Sequence, residues 1–145
     1  MIFAVIDTNV LVSALLSKHL DSSTVIVRNY LLEGCIVPLY NDEILEEYTE
    51  VLHRPKLQLP SEQVDIILEA IAKIGIMMER TKSNEVFPDP KDAVFYEVVL
   101  SKDGAYLITG NIRHFPKTSI VVSPSEFLEI IGKNELISPG ERSSG

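Results

Sequence analysis

The chemistry of this chain starts at Asp7. An apolar run, Ile2–Ile6, stops at Asp7-Thr8-Asn9, and apolar residues resume at Val10. The pattern reads as a buried strand that ends where a helix begins, with a carboxylate at the junction. In open α/β sheets, ligands bind at the carboxyl edge of the strands. Thr8 and Asn9 are short polar groups beside that carboxylate, suited to orienting it.

A second acid comes from the segment Asn41–His53, which carries Asp42, Glu43, Glu46, Glu47 and Glu50. Most of these read as a solvated helix face, and periodicity separates them. At about 100° per residue, Ile44, Leu45, Tyr48, Val51 and Leu52 define an apolar arc of roughly 120°. Glu47 lies about 40° outside that arc, Glu43 about 80°, Glu50 about 100°, and Glu46 nearly opposite. Glu47 is thus best placed for partial burial facing a site; a boundary Glu that only snorkels has the same pattern.

Two further groups follow. In Asp89-Pro90-Lys91-Asp92, Asp89 suits an N-cap and Pro90 the first helical position. Asp92 heads an apolar stripe through Phe95, Tyr96, Val99 and Leu100, so it points toward the protein body. An acid in the first turn also favours the helix dipole, so capping and dipole effects alone account for both residues. The other group, Thr109-Gly110-Asn111, follows the strand-like Ala105–Ile108 and echoes Asp7-Thr8-Asn9. Asn111 offers an amide oxygen to a metal or a carboxylate, and Thr109 a hydroxyl to a substrate or a ligand. Gly-Asn is also ordinary turn chemistry.

Gathered carboxylates need a reason to stay together. Two of them about 4 Å apart repel by roughly 4 kcal/mol at an effective dielectric near 20. A cluster of three persists by taking up protons or binding a cation. All-oxygen ligands select Mg²⁺ or Mn²⁺, and no Cys/His spacing typical of zinc occurs. Such a cation polarises a phosphodiester oxygen and activates water.

The elements that must position these groups alternate. Strands are expected at Ile2–Ile6, Cys35–Leu39, Ile76–Met78, Ala105–Ile108 and Ile120–Val122. Helices are expected between them. In Ser61–Ile74, Val64, Ile67, Leu68, Ile71 and Ile74 follow the i, i+3, i+4, i+7 rule. Ser22–Glu33 stops at Gly34, and Ser123–Ile131 stops before Gly132. The alternation predicts a parallel sheet with helices on both faces. At 145 residues the chain is expected to form one domain over 1–137, with a loose Ser/Gly-rich tail from Ser138 to Gly145. A chain of this size buries roughly 70% of its unfolded surface, so no disulfide is needed. The single Cys35 fits a reducing compartment and reads as a small buried hydrophobe. No basic leader and no run of about 20 apolar residues is seen, so a soluble cytoplasmic protein without a membrane partner is expected. The net charge of -8 argues against a protein that coats nucleic acid, but not against an acidic site with a basic rim. Arg54, Lys56, Lys91, Arg113, His114 and Lys117 are candidates for that rim. Arg113 and His114 are the candidates for substrate contact.

Four motifs occur in order: Ile6-Asp7-Thr8-Asn9-Val10-Leu11-Val12-Ser13; Glu47-Tyr48 with Val51-Leu52 and Arg54-Pro55; Asp89-Pro90 with Asp92; and Leu107-Ile108-Thr109-Gly110-Asn111 with His114-Phe115-Pro116. Together they resemble the PIN domain (PilT N-terminus-like) family, from Ile2 to about Phe127. More narrowly, they are similar to its toxin components of toxin–antitoxin systems. The resemblance implies a Rossmann-like α/β/α sandwich with a central, mainly parallel five-stranded sheet. It implies a Mg²⁺- or Mn²⁺-dependent endoribonuclease, an RNA substrate, a protein antitoxin and a homodimer. By position, the family's acids fall on Asp7, Glu47 and Asp92, which are thereby the implied catalytic and metal-binding residues. Many members have a fourth acid where this chain has Asn111. With the amide as the fourth ligand, one firmly held metal is expected.

Other readings stay open. A phosphatase of the haloacid-dehalogenase type needs a second Asp where this chain has Asn9. A nucleotide-binding module lacks a Gly-rich phosphate loop after the first strand. A catalytically weak or inactive PIN-like module, binding RNA or protein, is compatible with Asn111.

Overall fold

The computed structural model describes residues 1–137, with side-chain surroundings described through residue 132; the expected tail from Ser138 to Gly145 lies outside the described residues. Five strands alternate with helices: β1 (Ile2–Ile6), β2 (Ile36–Tyr40), β3 (Ile76–Met77), β4 (Tyr106–Ile108) and β5 (Val121–Val122). Six helices join them: α1 (Thr8–Leu16), α2 (Ser23–Leu32), α3 (Asp42–Leu52), α4 (Ser61–Ile74), α5 (Pro90–Val99) and α6 (Pro124–Ile137). Short 3₁₀ turns occupy Pro55–Leu57 and Ile112–His114. The sheet order is β3-β2-β1-β4-β5, and every pairing is parallel.

Burial shows why three layers form. All five residues of β2 are buried, as are Ala4, Val5 and Ile6 in succession on β1. Successive strand residues point to opposite faces, so both faces of the sheet are covered. α5 packs on β1, β2 and β4, while α2 packs on β2 and joins α1 and α6. The α/β/α sandwich expected from the alternating pattern is therefore present.

Local signals set most boundaries. Asn41 caps α3, its Oδ1 accepting from the Ile44 amide at 2.9 Å. Gly34, with φ +81°, ends α2 in the left-handed conformation that glycine tolerates. At Gly75, a Cβ would stand 2.8 Å from the Pro38 carbonyl oxygen, so glycine lets the chain leave α4 close against β2.

Two expectations fail. Cys35 is exposed, not buried, because it lies in the turn before β2 instead of within the strand. The helix expected to stop before Gly132 continues through it, as α6, to Ile137, because a helix interior tolerates a single glycine at a cost of about 1 kcal/mol.

Candidate functional site

The strand order creates the site. From β1 the chain runs outward to β2 and β3, then returns to β4 on the other side of β1. The carboxyl ends of β1 and β4 are thus neighbours at the point where the winding reverses, where such sheets bind ligands. Their register pairs Ile6 with Ile108, which puts Asp7 and Thr109 side by side at the next level.

Asp7 is 7% exposed and Thr109 is fully buried. Asp7 occupies the N-cap position of α1, yet its side chain makes no capping bond. Instead, Oδ2 accepts from the Thr109 hydroxyl at 2.7 Å and from the Asn9 amide at 3.2 Å. Asn9 in turn accepts from the Gly110 amide at 3.1 Å, and Thr109 Oγ1 accepts from the Asn111 amide at 3.0 Å. The two polar triplets read from the sequence are thus laced across the β1–β4 edge, and they fix one oxygen of Asp7.

The helices bring in the other acids. α3 starts as soon as β2 ends, and Tyr48 anchors it by donating its hydroxyl to the Ile6 carbonyl. The adjacent Glu47 is half-buried and accepts a hydrogen bond from the Thr8 hydroxyl. Glu46 is exposed, in line with the angular reading of this helix. The Tyr48 ring also lies against Phe95 of α5, with centroids 6.2 Å apart. Asp89 caps α5, its Oδ1 accepting from the Lys91 amide at 3.0 Å, and Asp92 follows in the first turn. Arg80 ties the two helices together. It reaches Glu43 of α3 at 3.1 Å and Glu97 of α5 at 2.9 Å.

Asp7, Glu47 and Asp92 all line one cleft of about 800 Å³, with Thr8, Asn9 and Asp89. Arg54 and Lys91 stand on its rim, and Val12, Leu16, Val51 and Leu57 supply apolar wall. Glu50 is exposed, as its angle predicts, yet it also belongs to the cleft. The open cleft extends past the edge of α3, and Glu50 lines it while bonding Arg54 twice, at 2.6 and 2.7 Å. Asn111 is exposed and is not among the lining residues. Nor are Arg113 and His114. Arg113 lines a separate cavity of about 410 Å³ with Phe115 and Lys117, while His114 approaches Asp92.

The electrostatics of the cleft favour a cation. Burial pushes the Asp7 carboxyl up from its ordinary 3.8 to about 6. The Thr109 hydrogen bond opposes that rise, and the charges of Asp92 and Glu47 add to it. Asp92 is also raised, first by burial and then by Asp89, with His114 acting in the opposite direction. Burial lifts the Tyr48 hydroxyl far above its usual range, helped by Asp7 and Glu47. Asp92 Oδ2 is buried and accepts no hydrogen bond. Among the described residues, no three His, Cys, Asp or Glu side chains stand close enough together to hold a metal ion. Hard oxygen donors and a raised Asp7 fit a divalent cation such as Mg²⁺ or Mn²⁺.

Sequence reasoning passed over Arg80, Glu97 and the anchoring hydroxyl of Tyr48. Tyr48 carries a signal, a polar tip on an apolar helix stripe, but its position on that stripe alone places it in the core. Arg80 lies in a stretch without periodicity, so nothing local marked it.

The fold and cleft define a doubly wound parallel α/β protein with its carboxylates at the switch point. The PIN domain profile matches residues 4–113, and the chain belongs to that family. PIN domains are typically nucleases that bind RNA and use Mg²⁺ or Mn²⁺. No curated protein and no solved structure gives a match.

Proposed function

We propose that this protein is a metal-dependent endoribonuclease that hydrolyses RNA phosphodiester bonds, with Asp7, Glu47 and Asp92 holding Mg²⁺ or Mn²⁺. The observation that carries this reading is the buried Asp7 carboxylate. It is oriented by Thr109 and Asn9 and shares one cleft with the two helical acids. Leaving a carboxylate there without a cation is costly, as its raised pKa records.

When bound, the cation supplies charge stabilisation at the phosphate and a water of lowered pKa. The chain's own residues do the rest. Thr109 and Asn9 hold Asp7 in one orientation, and Thr8 does the same for Glu47. Lys91 and Arg54 draw a phosphate backbone to the rim, with Arg54 kept in place by Glu50. Of the expected substrate contacts, Arg113 is proposed to touch RNA outside the cleft, from the cavity it shares with Lys117.

The test is cleavage of single-stranded RNA with Mn²⁺ or Mg²⁺ and with excess EDTA. Cleavage that needs the cation is the expected result, and full turnover in EDTA would sink the reading. Metal binding without cleavage would instead support the weak or inactive RNA- or protein-binding module that Asn111 allows.

The protein is further proposed to be the toxin of a toxin–antitoxin pair, acting in the cytoplasm as a homodimer and restrained by a protein antitoxin. Support for association comes from exposed Leu16, Leu20, Leu32 and Ile66, three of which line a groove of about 340 Å³. No described helix is long and apolar enough to cross a membrane. Sedimentation should show a mass that rises to the dimer with concentration. A constant monomer mass would contradict the dimer.

A further inference from the structure

Asp92 has one oxygen that the hydrogen-bond network leaves out. Its Oδ2 is shielded from solvent and has no hydrogen-bond partner. The side chain is nevertheless 17% exposed and lines the cleft. Asp92 therefore does not meet the cleft through Oδ2. What comes to Oδ2 is His114, whose Nδ1 stands 3.6 Å away. That distance is just beyond hydrogen-bond reach, and such contacts tighten when a site is filled.

His114 ends the 3₁₀ turn Ile112–His114 that follows β4, and its side chain is 54% exposed. It does not line the cleft. Asn111, three residues earlier, is exposed and does not line the cleft. The segment after β4 thus reaches the acids at two points, through Thr109 to Asp7 and through His114 to Asp92. Among the charges acting on Asp92, Asp89 and Glu47 oppose its ionisation and His114 favours it.

We propose that His114 is a positioning residue for Asp92. Its imidazole holds the buried oxygen, and the rest of the carboxylate stays turned to the cleft, ready for a divalent cation. The proposal rests on the metal-binding reading above. A carboxylate free to rotate about its last bond presents either oxygen; one with a single oxygen held by His114 presents the other. Partners of this kind, one step behind a ligand, typically change metal affinity by 10–100-fold when removed.

The test is calorimetric titration of the full chain with Mn²⁺ for wild type, His114→Ala, His114→Gln and Asn111→Asp, with a melting curve for each. His114→Ala should bind Mn²⁺ about tenfold more weakly. His114→Gln, which keeps a side-chain N–H donor, should recover most of that loss. Asn111→Asp should bind within about twofold of wild type, because its side chain does not line the cleft. Melting points should coincide within a few degrees, since His114 is half-exposed. Wild-type affinity in His114→Ala would overturn the proposal, as would a loss in His114→Gln equal to that in the alanine variant. A ¹⁴N coupling to bound Mn²⁺ that vanishes in His114→Ala would overturn it too, by making His114 a direct ligand. Absence of Mn²⁺ binding in wild type would overturn the metal reading itself, which separates that failure from this one.

Discussion

Asp7→Asn should abolish RNA cleavage and, at the same time, make the metal-free protein more stable. Both effects come from one buried carboxylate. Its pKa of about 6 in the folded chain stands above the ordinary 3.8, and burial is the main cause. A rise of that size corresponds to about 3 kcal/mol against folding at neutral pH, from 1.36 kcal/mol per pH unit. The sign follows from the direction. Below about pH 4 the group is protonated in both states and the penalty vanishes. It grows as pH rises from 3.8 to about 6 and is complete above. Metal-free wild type should therefore lose stability across that window, and Asp7→Asn should not. An amide of the same shape still accepts from Thr109, so a gain of about 2–3 kcal/mol at pH 7 is expected. For a chain this long that is roughly 5–10 °C in melting temperature. Mn²⁺ should stabilise wild type, and more so at pH 7 than at pH 5, because it binds the ionised form. Cleavage should fall about a thousandfold or more, as several kcal/mol of charge stabilisation are lost. A variant that melts lower than wild type, or that still cleaves, would contradict this reading of Asp7.

Glu47→Gln should separate sharply from its neighbours on α3. Glu47 is half-buried, lines the cleft and accepts from Thr8. Its glutamine variant keeps the shape and the Thr8 bond but loses the charge. Mn²⁺ affinity should fall at least about tenfold, and cleavage with it. Glu46 faces solvent, so Glu46→Gln should stay within about twofold of wild type. Glu50→Gln is the harder comparison, because Glu50 lines the same cleft. Its charge is already matched by Arg54 at 2.6 Å, so its metal affinity should also stay near wild type. Titration of the three variants with Mn²⁺ checks the ranking. Equal losses in all three would mean a diffuse acidic surface and no particular ligand.

Local patterns in the sequence mark much of the candidate site. The abrupt end of the run Ile2–Ile6 located Asp7, and helical angles singled out Glu47 for burial over Glu46. The stripe below Asp92 indicated a side chain turned inward, and the cleft contains it. These signals are legible because each depends on one element's own period. Contacts between elements were not. Arg80 bridges Glu43 and Glu97, residues brought near it only by the packing of α3 beside α5. The angle of Glu50 predicts its exposure, but the cleft reaches it because Arg54 and Leu57, beyond the end of α3, also line that wall. The echo between the two polar triplets is real in the backbone, where Asn9 meets Gly110 and Thr109 meets Asp7. It did not extend to the Asn111 side chain, since the turn after Gly110 carries that residue outside the cleft.

The most direct measurement is anomalous diffraction from crystals of the wild-type protein soaked in millimolar Mn²⁺. The expected result is a manganese peak in the cleft, with oxygens of Asp7, Glu47 and Asp92 as its protein ligands. A peak away from these three carboxylates, or an empty cleft under those conditions, would contradict the assignment of this edge of the sheet as a metal-dependent nuclease site.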